Sequence, residues 1–198
     1  MTRDLLDHVV IHPPRRLTAR LVATLSTPQP DEFETEPVET LDLALEGISG
    51  DRHAGFTRAA GAREPWHRRG DEIRSGRQLS IVSPEELWEI GHALGLPPLE
   101  PGWIGANLMI EGVARLSFLP AGTRLFFPSK ACVVVEGQNA PCRHAGRAVG
   151  RRTGRPGDEL SFPKAAKRLR GLVASVERAG PVSAGDAVTI HLPEQWIY

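Results

Sequence analysis

Apolar residues come in short bursts along most of this chain. Residues 17–25 (LTARLVATL) have strand composition, and 38–45 set Val38, Leu41, Leu43 and Leu45 nearly in alternation, as a half-buried strand does. Residues 78–82 (QLSIV) read as another strand. After Pro101–Gly102 come 106–110, 115–119, 124–127 and 131–136, each bounded by Gly or Pro, with 120–123 (PAGT) as a turn. Residues 172–176 and 187–192 close the series, joined through Gly180 and Gly185–Asp186. The period changes twice. Ser83-Pro84-Glu85-Glu86 opens a helix: Ser83 caps it, Pro84 suits the first turn and Glu86 completes a capping box. Leu87, Ile90 and Leu94 form its buried stripe, and Gly95 and Pro97 stop it. Residues 140–150 also have helical composition. Many short strands with regular turns and few helices predict a mainly β fold with appended helices (α+β), a barrel or a sandwich.

The aperiodic stretches are as informative. Residues 1–16 carry no clear period, and 26–37 (STPQPDEFETEP) read as an acidic, Pro-rich surface loop. Residues 47–55 (GISGDRHAG) form a Gly-punctuated turn bearing Asp51 and His53. The longest, 56–76, contains Arg58, Arg63, His67, Arg68, Arg69 and Arg74. Loops of this length inside a compact domain are functional or disordered. Residues 151–163 are a Gly-, Pro- and Arg-rich loop.

Composition narrows the class. The 198 residues suit a single domain with a substantial core. Net charge is zero, so bulk charge gives no sign of a nucleic-acid partner. The distribution is uneven: residues 28–46 hold seven acids and no Lys or Arg, whereas 143–170 hold nine Lys or Arg and two acids. No run approaches 18 apolar residues, and Asp4, Asp7 and His8 interrupt the start, so neither a membrane span nor a leader is expected. A cytoplasmic protein with reduced thiols follows, which disfavours a Cys132–Cys142 disulfide.

Cys142 is the leading chemical candidate. It stands in VVVEGQNAPCRHAGR, where a strand of β-branched residues gives way to a helix. If Asn139 caps that helix, Cys142 lies in its first turn, where unpaired N–H groups and the dipole favour a thiolate. Arg143 and His144 add positive character. Such a thiolate attacks electrophilic sulfur, holds a persulfide or ligates a soft metal; the alternative is an inert apolar filler. Cys132, inside an apolar run, reads as such a filler. Asp51 and His53 would face one way on an extended chain, and His67, His92 and His144 are further conceivable ligands. No recognised zinc spacing, P-loop, dinucleotide fingerprint or serine elbow is present. Arg77, Arg143, Arg147, Arg151, Arg152, Lys167, Arg168 and Arg170 are candidates for clamping an anion.

Several of these pieces stand in one order: GISGDRHAG at 47–55, Arg77–Gln78 before a strand, GWIGANL at 102–108, LPAGTRL at 119–125, Glu136 ahead of Pro141–Cys142, Arg170–Gly171, and Gly180 with Gly185–Asp186. Over about residues 38–192 this order resembles the MOSC domain, named for the C-terminal domain of eukaryotic molybdenum cofactor sulfurase, and in particular its free-standing bacterial members. The resemblance implies a MOSC-type β-barrel. It implies that Cys142 carries sulfur as a persulfide or ligates molybdenum of the molybdenum cofactor (molybdopterin). It also implies either sulfur transfer or reduction of N-hydroxylated bases. Arg77, Gln78, Asn107, Arg143, His144, Arg170, Asp51 and His53 are then the candidate cofactor-binding residues. The family's acid before Asn107 is Ala106 here. Partners implied are a small-molecule substrate and an electron-donor or sulfur-donor protein, such as a PLP-dependent cysteine desulfurase. The competing readings are a non-catalytic barrel module that binds an anion or partner through 143–170, a thiol enzyme without molybdenum, and a metal hydrolase built on Asp51, His53 and His67.

Overall fold

The computed structural model describes residues 9–29 and 32–197. The residue 1–8 part of the aperiodic start, with Asp4, Asp7 and His8, and residues 30–31 of the acidic loop lie outside it. In chain order the strands are β1 (Val10–His12), β2 (Arg15–Ser26), β3 (Glu36–Val38), β4 (Thr40–Ala44), β5 (Gly47–Ile48), β6 (Thr57–Ala59), β7 (Glu72–Arg74) and β8 (Leu79–Val82). Helix α1 (Pro84–Leu94) follows, then β9 (Leu108–Glu111), β10 (Arg124–Phe126), β11 (Cys132–Gln138), α2 (Arg143–Thr153) and α3 (Asp158–Ala165). The chain ends with β12 (Leu172–Arg178), β13 (Gly180–Ser183), β14 (Ala187–Leu192) and β15 (Gln195–Ile197).

Seven strands close a barrel in the order β14-β10-β11-β12-β8-β9-β2, with β2 returning to β14 and β3 attached to the outer part of β2. All these pairings are antiparallel except β8 with β9. Alternation explains the filling. Leu79 and Ile81, Leu108 and Ile110, Val133 and Val135, and Leu172, Ala174 and Val176 take every second position of their strands, and all point into one core. A second core lies outside the barrel wall. There the α1 stripe Leu87, Ile90 and Leu94 meets Ala145 and Val149 of α2 and Phe162 of α3. Burying Phe162 completely contributes about 1.5–3 kcal/mol. Gly146 permits the close approach of α2 to α3: a Cβ there would stand 2.7 Å from the Asp158 and Glu159 carbonyl oxygens.

Five expectations need correction. Residues 115–119 are not a strand; Leu116–Phe118 form a 3-10 turn whose Ser117 N–H and hydroxyl donate to Glu86. That diverts Glu86 from the capping box, and only its backbone N–H bonds to the Ser83 hydroxyl, at 3.2 Å. Residues 151–163 are largely helical rather than loop, since α2 runs on to Thr153 and α3 starts at Asp158. Packing against α1 and α2 overrides the unfavourable Pro163 inside α3. The 56–76 stretch contains the β6–β7 hairpin. Asn139 does not cap α2; Cys142 itself is the N-cap residue.

Candidate functional site

Strand β11 ends at Gln138, and four residues later Cys142 begins α2. Asn139 anchors the connection, its N–H donating to the Gly171 carbonyl just before β12. Cys142 has extended backbone (φ −137°, ψ 160°), and its side chain makes no capping bond, so the sulfur is not consumed by the helix end. The half-buried thiol lines a cavity of about 80 Å3, room for roughly two or three waters or one small oxyanion. Arg63, Arg77, Arg170, His53 and Asn139 share its walls.

Arg170 is the most unusual of these. It is only 5 % exposed; Nη2 donates to the Ile104 carbonyl at 2.7 Å, while Nε and Nη1 are buried without a partner among the described residues. Burial pushes its pKa down to about 10; the Cys142 thiolate pulls the other way, and Arg63 and Arg77 reinforce the fall. Arg77 is also brought to about 10, by burial first and then by Arg63 and Arg58. Both remain cations at neutral pH. Arg58 is neutralised by Glu64 at 2.6 Å, a bond that outweighs burial and holds Glu64 near 2. Arg63 donates to the Ala140 carbonyl at 3.2 Å. Three guanidiniums thus face one ionisable sulfur. A buried unpartnered donor costs about 1–3 kcal/mol, and such a cost in a native fold calls for an explanation such as a ligand that satisfies it.

A polar chain holds the walls in place. Asp51 Oδ1 accepts the His53 N–H at 2.9 Å and meets His53 Nδ1 at 3.3 Å. Its Oδ2 accepts from Thr27 Oγ1 at 2.6 Å and Asn107 Nδ2 at 3.2 Å. Asn107 Oδ1 accepts the Ser80 N–H, Asn139 Nδ2 donates to Ser80 Oγ, and Arg77 Nη2 donates to Asn139 Oδ1. Burial favours a protonated Asp51, but the bonds from His53 and Thr27 win and bring its pKa to about 2.

The sequence candidates therefore separate. Cys142, Arg77, Arg170 and His53 meet at the cavity, and Asp51 and Asn107 stand directly behind it. Gln78 does not reach it: its amide binds the Leu45 and Gly55 carbonyls and the Val176 N–H, tying the 47–55 turn to β12. Arg143 is exposed and pairs with Glu159 at 2.8 Å. His144 packs on the Phe33 ring, centroids 4.6 Å apart, and burial followed by Arg52 pushes its pKa down. His67 lines a separate cleft. Sequence reasoning missed Phe33, Ser80 and Asn139 as wall residues and left Arg63 among the loop arginines. The one signal for Phe33 was a lone aromatic in the acidic loop. That neighbouring cleft, of about 380 Å3, shares Arg77 and Val173 with the thiol cavity and carries the exposed Trp66 at its edge.

Fold and site together define a closed β-barrel protein that presents a cysteine in a cationic cavity at a strand-to-helix junction. The MOSC domain model matches residues 52–189. YuaD of Bacillus subtilis (strain 168), a protein named for metal-sulfur cluster biosynthesis, is 40 % identical over 178 residues, 89 % of this chain and 92 % of YuaD. The chain belongs to the MOSC domain family. The YuaD crystal structure superposes with a TM-score of 0.87 at 39 % identity, covering 90 % of this chain and 98 % of that one. Escherichia coli YiiM, at 18 % identity, 86 % and 69 % coverage and a TM-score of 0.51, shares the fold. No helix among the described residues is long and apolar enough to cross a membrane.

Proposed function

We propose that this protein carries sulfur on Cys142, as a persulfide received from a sulfur-donor protein, and acts in the chemistry of the molybdenum cofactor. The observation that carries this reading is the buried Arg170, with two unpartnered nitrogens, on the cavity that Cys142 lines. A persulfide ends in a small soft anion, and a cluster of cations, one of them the buried Arg170, stabilises one. A neutral apolar ligand would leave those donors unsatisfied. A donor such as a PLP-dependent cysteine desulfurase suits the role, and YuaD's name lies in the same area of metal–sulfur chemistry.

The residues also fit the cofactor. Cys142 offers the soft ligand that molybdenum prefers, and Arg63, Arg77 and Arg170 offer charge-assisted bonds to a phosphate or oxo group. The thiol cavity is too small for the whole cofactor, but the wider cleft that shares Arg77 has room for a larger body. When bound, the cofactor supplies a metal that takes up sulfur and electrons. That second cleft favours a subordinate reading, a reductase of a small substrate fed by an electron-donor protein.

The test is sulfur loading. Protein incubated anaerobically with a low-molecular-weight persulfide should gain one sulfur atom on the Cys142 peptide, and Cys142→Ala should gain none. Loading confined to other positions, or unchanged in Cys142→Ala, would sink the proposal. Molybdenum analysis of anaerobically purified protein, with and without an N-hydroxylated substrate and electron donor, separates the carrier from the reductase. A non-catalytic anion-binding module would instead keep its binding in Cys142→Ala and lose it, with strong salt dependence, in arginine variants.

A further inference from the structure

Among the described residues, His53 is the one imidazole that lines the Cys142 cavity. Its side chain is half exposed, whereas that of its partner Asp51 is 1 % exposed. Asp51 is fixed from three sides, by the His53 backbone, Thr27 and Asn107, so its carboxylate cannot follow the ring. A buried carboxylate against Nδ1 favours the tautomer with the proton on Nδ1 and leaves Nε2 as an acceptor. Thiol and imidazole on one cavity, with a buried acid behind the imidazole, are the parts of an activated cysteine nucleophile.

We propose that His53 is the proton-transfer residue of this site, with Asp51 as the residue that positions it. His53 accepts the Cys142 proton across the cavity, directly or through one of the waters that the cavity has room for. The sulfur then attacks. With a donor persulfide, a bond forms between Cys142 Sγ and the donor's outer sulfur, the donor's S–S bond breaks, and the departing thiolate takes the proton from His53. No outside oxidant or reductant is needed. That substrate rests on the sulfur-carrier reading above. The proton transfer itself does not, because any electrophile reports on it.

Iodoacetamide is such a probe: the S–C bond forms, iodide leaves, and the thiol proton passes to the base. The rate of Cys142 alkylation at neutral pH, followed by peptide mass spectrometry, is compared between the natural protein and His53→Ala. The half-exposed position makes this variant safe for folding, which circular dichroism checks. The rate should fall about 100-fold, the lower end of what a positioned base contributes. Added imidazole should restore it about tenfold in the variant and leave the natural protein unchanged. Alkylation of His53→Ala at the natural rate overturns the proposal. So does a slowed variant that ignores imidazole, since that is the behaviour of a merely structural residue. Neither result touches the sulfur-carrier reading, which stands or falls on Cys142 loading.

Discussion

The two cysteines lie at opposite ends of one strand and live in opposite surroundings. Cys132 opens β11, is 2 % exposed, and its sulfur meets Glu177 Oε2 at 3.4 Å. Cys142 stands just past the end of the same strand, half-buried, on a cavity with three arginines. Burial first, and then the Glu177 carboxylate, push the Cys132 pKa up to about 12. The strand is the same and the residue type is the same; what differs is the sign of the neighbouring charge and access to water. A thiol's chemistry is therefore set by what the fold brings to it, and a basic neighbour in sequence is a poor guide. Arg143, adjacent to Cys142, turns away to Glu159, whereas Arg63 and Arg170 arrive from distant segments.

The largest effect expected is the contrast itself. At pH 8 a thiol with a pKa of about 12 is ionised to only ~1 part in 10⁴. Native protein exposed to iodoacetamide should be labelled at Cys142 and remain unlabelled at Cys132. Comparable labelling of both sites, in protein shown to be folded, would dissolve the comparison. Glu177→Gln sharpens it: removal of the carboxylate brings the Cys132 pKa down, but burial is the larger cause, so Cys132 should stay protected.

Arg170 tests the cationic side of the contrast. Arg170→Met removes a buried charge whose Nε and Nη1 have no partner, at the loss of one bond to the Ile104 carbonyl. Sulfur loading on Cys142 should be lost, while stability in urea should hold or rise by about 1 kcal/mol, because a methionine needs no desolvation there. A variant that loads sulfur normally, or unfolds, would show that Arg170 serves the fold rather than the site.

How far the sequence carried can be judged from the same residues. The barrel strands were legible because their interior positions alternate, as Leu79 and Ile81 or Val133 and Val135 do. Helix α1 was legible from Ser83, Pro84 and its stripe. Helix α3 was not, because Pro163 and the Gly- and Arg-rich lead-in speak against a helix, and only packing of Phe162 against α1 and α2 makes one. Within the site, the junction thiol could be read locally. Motif order also marked Arg77, Arg170 and His53, whereas Phe33, Arg63, Ser80 and Asn139 could not be placed on the wall, since they join it only when the barrel closes. Gln78 differs from these: motif order marked it as a candidate cofactor contact, and its amide instead holds the 47–55 turn against β12.

Buried acids, like the two thiols, take opposite shifts from their surroundings. Asp51 is held at about 2 against an ordinary 3.8, because its donors outweigh burial. Its ionised form is thus favoured in the fold. The resulting stability, about 2 kcal/mol, is fully present above pH 4 and is lost as pH falls toward 2. Glu86 has the opposite sign, since burial outweighs the Ser117 bonds and raises its pKa. Its contribution is present at low pH and lost as pH rises through the folded value. Asp51→Asn should flatten the acid limb of the stability profile measured by urea unfolding between pH 2 and 5. An unchanged acid limb would show that the carboxylate is not stabilised as described.

The smallest effect concerns the acidic segment that walls the Cys142 cavity and has no counterpart at Cys132. Glu34 bonds Arg151 at 2.9 Å and Arg152 at 2.7 Å, joining this segment to the far end of α2. Both arginine side chains are about half exposed, so each pair is worth well under 1 kcal/mol and weakens with salt. Phe33 is held in other ways as well. Thr35 Oγ1 donates to the Ala106 carbonyl at 2.6 Å and its N–H to the Gly102 carbonyl, and the Phe33 carbonyl stands so near Gly105 that a Cβ there would meet it at 2.7 Å. Glu34→Gln should therefore cost about 0.5 kcal/mol at low salt, less at high salt. It should raise Cys142 alkylation by no more than about twofold, because the wall loosens without opening, and leave Cys132 untouched. A rise near tenfold at Cys142 would mean that the two ion pairs, and not Thr35 and the Gly105 contact, keep Phe33 on the cavity.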